Sequence, residues 1–108
     1  MKAKSAFWLE TNTPPTCEHQ RVAGYEIVIF DMEHGILGEP LLDRLIPFCA
    51  GLGLDTYVRV GEATQPRIQM ALDIGATGVI LPQIRDLAHA EIAASFAKFP
   101  PRGNRGLG

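Results

Sequence analysis

Polar side chains with catalytic potential sit where apolar runs stop. Ile27-Val28-Ile29-Phe30 gives way abruptly to Asp31-Met32-Glu33-His34-Gly35. A histidine beside carboxylates is a ready general base, because an unperturbed imidazole titrates near neutrality. Arg59 interrupts a second apolar run, Tyr57-Val58-Arg59-Val60, and Glu62 follows it. Its guanidinium offers fixed positive charge for an oxyanion or a carboxylate. Gln83 follows the run Gly78-Val79-Ile80-Leu81-Pro82, and Trp8 and Glu10 close the run that begins at Ala6. Each residue also has a purely structural reading. His34 would be a hydrogen-bonded rim residue, Glu33 a salt-bridge partner, and Arg59 half of a buried ion pair with Asp31 or Glu33. Trp8 would be core or barrel floor, and Asp73 a polar residue in the last helical turn before Gly75. His19, His89, Cys17 and Cys49 stand in no motif and read as incidental.

Positioning such groups together requires a particular order of elements. Ile27 to Phe30 are β-branched or aromatic without interruption, which predicts a strand buried on both faces, as in a parallel sheet. Asp31, Glu33 and His34 then stand at the carboxyl edge of that sheet, where β/α barrels and open α/β sheets keep their active sites. Before it, Ala6 to Leu9 is a strand, Thr11-Asn12-Thr13-Pro14-Pro15 a capping turn, and Thr16 to Ala23 a helix ending at Gly24. After it, Gly38-Glu39-Pro40 opens a helix with Leu41, Leu42, Leu45, Ile46 and Phe48 at helical spacing. Pro47 is a defect in that helix, since proline removes a backbone donor. Asp55 to Val60 is a third strand, Pro66 to Asp73 a helix ended by Gly75, Gly78 to Pro82 a fourth strand, and Asp86 to Lys98 a fourth helix. From Phe99 onward the chain reads as an irregular loop rich in proline and glycine.

Four strand–helix units with short connections imply an α/β fold with a parallel sheet and right-handed crossovers. They amount to half of an eightfold β/α barrel, which typically needs roughly 250 residues. Residues 1–108 are therefore expected to be the amino-terminal four units of a TIM-type barrel, with the second half absent. Three arrangements satisfy this: the first part of a longer enzyme, two copies completing one barrel, or a small open sheet.

Composition narrows the field of functions. At 46% hydrophobic and 20% charged residues, the chain is an ordinary globular sequence. A net charge of −2 gives no electrostatic support for nucleic acid or an anionic membrane as partner. The lysines at the start are not followed by an apolar core, because Glu10 and Asn12 arrive too soon, so a signal peptide is not expected. No apolar run is long enough to span a bilayer. Two isolated cysteines fit a reduced, cytoplasmic protein.

Four stretches together carry a family resemblance. Asp31-Met32-Glu33-His34-Gly35, Val58-Arg59-Val60, Ala71 to Pro82, and Phe99-Pro100-Pro101-Arg102-Gly103-Asn104-Arg105-Gly106 resemble, in order and separation, the signatures of the HpcH/HpaI aldolases. Members cleave 2-keto-3-deoxy sugar acids and related 4-hydroxy-2-oxo acids to pyruvate and an aldehyde. The resemblance implies a β/α barrel, a homo-oligomer, and a divalent cofactor (Mg²⁺, Mn²⁺ or Co²⁺) that acidifies the pyruvate methyl group. It assigns acid/base work through water to His34, held by Asp73 as a dyad, and enolate stabilisation to Arg59. Trp8, Asp31, Glu33 and Gln83 would line or order the substrate pocket, and Arg105 falls in the loop motif without a role. No metal ligand is expected within this chain, since the family's glutamate and aspartate ligands correspond to positions beyond Gly108. Gln83 stands where methionine or histidine is more usual, and the segment from Pro47 to Asp55 is short. Two other readings remain at this level: a phosphodiesterase-like barrel with Glu33 and His34 as metal ligands, and a non-catalytic half-barrel that assembles through its open edges.

Overall fold

The computed structural model describes residues 4–10, 14–35, 37–98, 100, 103, 105 and 106. Four strands alternate with four helices: β1 (Ala6–Leu9), α1 (Pro14–Val22), β2 (Ile27–Asp31), α2 (Glu39–Gly51), β3 (Asp55–Arg59), α3 (Gln65–Ile74), β4 (Gly78–Ile80) and α4 (Leu87–Ser95). All pairings are parallel, and the order in space is the order in sequence, β1-β2-β3-β4. A doubly wound sheet would reverse direction at a switch point, whereas a barrel wall keeps consecutive order. All four carboxyl ends therefore share one rim.

Side chains alternate across the sheet. Phe7, Leu9, Val28, Phe30, Thr56 and Val58 are buried on one face, packed with Leu42, Leu45 and Ile46 of α2, Ile68 and Ala71 of α3, and Ala93 of α4. The opposite face carries Ala6, Trp8, Ile27, Ile29, Tyr57 and Arg59, none of them fully buried. Burial of β2 on both faces, expected from its unbroken apolar run, holds for one face only. Same-handed crossovers put the helices on one side, and no described segment covers the other.

Element ends follow local chemistry. The α1 helix begins at Pro14 rather than Thr16, because proline suits a first helical turn, where its missing N–H costs nothing. Pro47 does not break α2; it lies inside the helix with its ring exposed. Gly75 adopts φ +112°, and the N–H groups of Gly75 and Ala76 donate to the carbonyls of Leu72 and Ala71, closing α3 with a left-handed cap. Asp86 caps α4 by accepting the His89 N–H at 2.7 Å, and α4 stops at Ser95, short of Lys98. The β4 strand ends at Ile80, just before Pro82, which has no N–H to give to a ladder.

Phe30 is the largest fully buried side chain and lies at the centre of the covered face. Phe30→Ala is expected to lower unfolding stability by about 3–5 kcal/mol in urea titration. A loss below about 1 kcal/mol would mean that the helices do not pack on this face as described.

Candidate active site

The rim is organised by a charged pair on adjacent strands. Asp31 ends β2, its register partner on β3 is Arg59, and no part of Asp31 is exposed. Its carboxylate is held by four donors. Arg59 Nη2 donates to Oδ2 at 2.6 Å, and Oδ1 accepts from Arg59 Nε at 3.1 Å, the Glu33 N–H at 2.9 Å and the His34 N–H at 3.0 Å. A carboxylate so bonded is stabilised in its ionised form. The Arg59 side-chain bond, with the backbone N–H groups of His34 and Glu33, holds the Asp31 carboxyl below the usual carboxylate range despite burial. Asp31 in turn pushes the Arg59 guanidinium further up. The buried ion pair anticipated as one reading of Arg59 is therefore present.

Three further groups fix the guanidinium in place. Its Cζ lies 4.6 Å from the centroid of the Trp8 ring, a cation–π contact reaching across from β1. Glu33 Oε1 stands 3.5 Å from Arg59 Nε and 3.2 Å from His34 Nε2. Gln83 Nε2 donates to Glu33 Oε2 at 3.3 Å, so the loop after β4 joins the same network. Arg59 Nη1 alone has no hydrogen-bond partner among the described residues. The His34 side chain is 65% exposed, so its ring is open to solvent and to a ligand at the rim.

Backbone geometry supports the arrangement. A Cβ on Gly35 would come within 2.5 Å of the Asp31 carbonyl oxygen and 2.7 Å of that of Glu10, so only glycine fits where the chain leaves the rim. Gln83 has φ +50°, a left-handed conformation that costs an ordinary residue about 1 kcal/mol and that sits here beside the candidate site. A cleft of about 440 Å³ borders Gln83, lined by Gly61, Thr64, Pro82, Arg85 and His89 among others. It opens between the loops that follow β3 and β4.

Of the residues singled out in the sequence, Trp8, Asp31, Glu33, His34, Arg59 and Gln83 meet in this network. Asp73 does not. It lies in the last turn of α3, about 12 Å along the helix axis from the end that begins at the rim. There its Oδ1 accepts from Arg105 Nη2 at 2.9 Å. The expected His34–Asp73 dyad is thus not formed within this chain, because α3 runs from the rim toward the opposite edge of the sheet. Glu10 and Glu62, the other rim carboxylates, form no hydrogen bond or ion pair with the cluster among the described residues; Glu62 lines the cleft.

The carboxylates of the cluster are not free to take a metal ion. Both oxygens of Asp31 are taken by Arg59 and backbone amides, and Glu33 is shared among Arg59, His34 and Gln83. No group of three or more His, Cys, Asp or Glu side chains among the described residues is placed to hold an ion. Glu33 and His34 accordingly do not make the metal centre that a phosphodiesterase-like reading needs.

The chain is similar to known proteins over nearly its whole length. The family model for HpcH/HpaI aldolase/citrate lyase matches residues 4–107. A 4-hydroxy-4-methyl-2-oxoglutarate aldolase of Hapsidospora irregularis is 37% identical over 92% of this chain and 37% of its own length. A 2-dehydro-3,6-dideoxy-6-sulfogluconate aldolase of Pseudomonas putida is 31% identical over 93% of this chain and 39% of its own. The crystal structure of an HpcH/HpaI aldolase from Desulfitobacterium hafniense superposes with a TM-score of 0.91 at 27% identity, covering 99% of this chain and 42% of that one. The chain thus spans well under half the length of the relatives it matches.

The Asp31 carboxyl releases its proton more readily folded than unfolded, so its contribution to stability is present above the ordinary carboxylate pKa of ~3.9 and disappears as pH falls through the lowered folded value. Asp31→Asn is expected to cost about 2–3 kcal/mol at pH 7, Arg59 being partly solvated. The variant should also lose part of the stability decline seen on acidification below about pH 4. Urea unfolding across pH checks both, and parallel pH profiles for the two proteins would contradict the account.

Proposed function

Because the chain belongs to the HpcH/HpaI aldolase/citrate lyase family, we propose that its carboxyl rim supplies part of the active site of a pyruvate aldolase. The reaction is reversible retro-aldol cleavage of a 4-hydroxy-2-oxo acid or 2-keto-3-deoxy sugar acid. The observation that carries this reading is Arg59, locked by Asp31 and Trp8 at the rim with Nη1 bonded to none of the described residues.

In that reaction the 4-hydroxyl loses its proton, the C3–C4 bond breaks, and its electrons form the enolate of pyruvate with negative charge on the C2 oxygen. Arg59 Nη1 is placed to donate to that oxygen, a contact that strengthens as the charge develops. His34, exposed at the same rim, takes the hydroxyl proton through an intervening water and returns one in the synthetic direction. Glu33 orients His34, and Asp31 and Trp8 keep the guanidinium aimed. Gln83 faces the aldehyde half of the substrate beside the cleft.

The divalent ion implied by the resemblance (Mg²⁺, Mn²⁺ or Co²⁺) would be held by residues outside this chain, where the resemblance puts its glutamate and aspartate ligands; Asp31 and Glu33 are already engaged. Residues 1–108 read as four β/α units of a TIM-type barrel, and the uncovered sheet face is the surface that further strands or a second copy would cover. A cytoplasmic homo-oligomer acting on small molecules fits this reading. Among the described residues no helix is long and apolar enough to cross a membrane.

The 108-residue chain alone is expected to show little or no aldolase activity with Mg²⁺ or Mn²⁺. Joined to the carboxyl-terminal part of the Escherichia coli 2-keto-3-deoxy-L-rhamnonate aldolase, which is 29% identical over the matched region, it should cleave a 2-keto-3-deoxy acid. In that chimera Arg59→Ala should lower kcat ~10²- to 10³-fold. A folded chimera whose turnover is unchanged by Arg59→Ala would remove the arginine from the mechanism.

A further inference from the structure

Two buried thiols lie away from the rim and take no part in its chemistry. Cys17 on α1 and Cys49 on α2 are both free and have no exposed surface. The two helices are joined near their carboxyl ends, where Arg21 Nε donates to the Leu52 carbonyl at 3.1 Å. Cys17 lies one helical turn before Arg21, and Cys49 lies just under one turn before Leu52, so the thiols stand at the same level. There each thiol is the chief influence on the other's titration.

The packing around them is uneven. Cys17 is the sole buried residue of α1, whereas α2 buries Leu42, Leu45 and Ile46 besides Cys49. Cys17 is thus the one side chain by which α1 enters the buried core, beside the bond from Arg21 to Leu52. Val22 at its end is 89% exposed. An element with so little buried apolar surface opens locally at low cost, which gives a small oxidant access to both sulfurs.

We propose that Cys17 and Cys49 form a redox-modification site, converted by a hydroperoxide into an intrachain disulfide that clamps α1 to α2. The Cys17 sulfur, as thiolate, attacks one peroxide oxygen; the O–O bond breaks, and the other oxygen leaves as alcohol or water. The resulting sulfenic acid is attacked by the Cys49 sulfur, forming the S–S bond and releasing water with the second thiol proton. Two thiols are oxidised by two electrons, and the peroxide is reduced. The order of attack follows from the pair itself: Cys49 moves the Cys17 thiol below its ordinary pKa, while Cys17 and burial push the Cys49 thiol up. Closing the bond makes a ring of residues 17–49 that contains β2 and the rim residues Asp31, Glu33 and His34. It therefore fixes the crossover between the strands carrying Trp8 and Asp31.

The test treats the intact chain with hydrogen peroxide, blocks remaining thiols with N-ethylmaleimide in denaturant, and digests it with trypsin without reduction. Cleavage after Lys4, Arg21, Arg44 and Arg59 separates the two cysteines onto peptides 5–21 and 45–59. The expected result is these two peptides linked in a monomer, freed by dithiothreitol, with an unfolding midpoint roughly several degrees higher than in the reduced protein. Cys49→Ala should leave Cys17 as a sulfenic acid that dimedone traps. Maleimide on both cysteines at peroxide doses that oxidise the methionines would overturn the proposal. So would separate sulfinic or sulfonic acids, or a link between chains. The wild-type map decides the matter even where the variant fails to fold.

Discussion

The Asp31–Arg59 pair is the constraint on which the rim depends. A buried, ionised carboxylate is tolerable only when its lone pairs are occupied, and Asp31 meets that condition with a guanidinium and two backbone amides. Each of those bonds also does something to the chain around it. The two from Arg59 tie β2 to β3 at their carboxyl ends. The two from backbone turn residues 32–35 away from the sheet, placing Glu33 against Arg59 and leaving His34 facing solvent. One side chain thereby sets the direction of both polar groups that follow it.

That pair also fixes where the arginine's remaining donor stands. With Nε and Nη2 bound to Asp31 and the plane resting on Trp8, the guanidinium cannot swing to satisfy its last donor elsewhere. An arginine on a flexible stem would lose rotamer freedom on meeting a ligand, whereas here that freedom is already gone. The same logic applies to Glu33, which is held from three sides and cannot leave His34. The rim is preorganised by groups that all belong to the first four β/α units.

Much of this was legible in the residues. The positions of all four strands follow from apolar runs bounded by glycine and polar residues, and the shared rim follows from their parallel order. What the sequence concealed depends on long-range geometry. The unbroken run Ile27 to Phe30 looks alike whether one face or two are covered, because apolar content records what a strand can bury and not what is present to bury it. Asp73 follows Ala71 and Leu72 in a family motif, yet helix direction carries it to the far edge, where Arg105 meets it. The stacking of Arg59 on Trp8 and the bond from Gln83 to Glu33 join strands through register, which no local pattern displays. Cys17 and Cys49, without any motif spacing, come together only through helix packing.

The direct test of the account is a double-mutant cycle on unfolding stability with Asp31→Asn, Arg59→Gln and both together. Residues joined by a bidentate, largely buried bond should couple by about 2 kcal/mol, so the double variant should be little worse than Asp31→Asn alone. Additive losses, within about 0.5 kcal/mol, would show that Asp31 and Arg59 act independently and that the rim is not built on their bond.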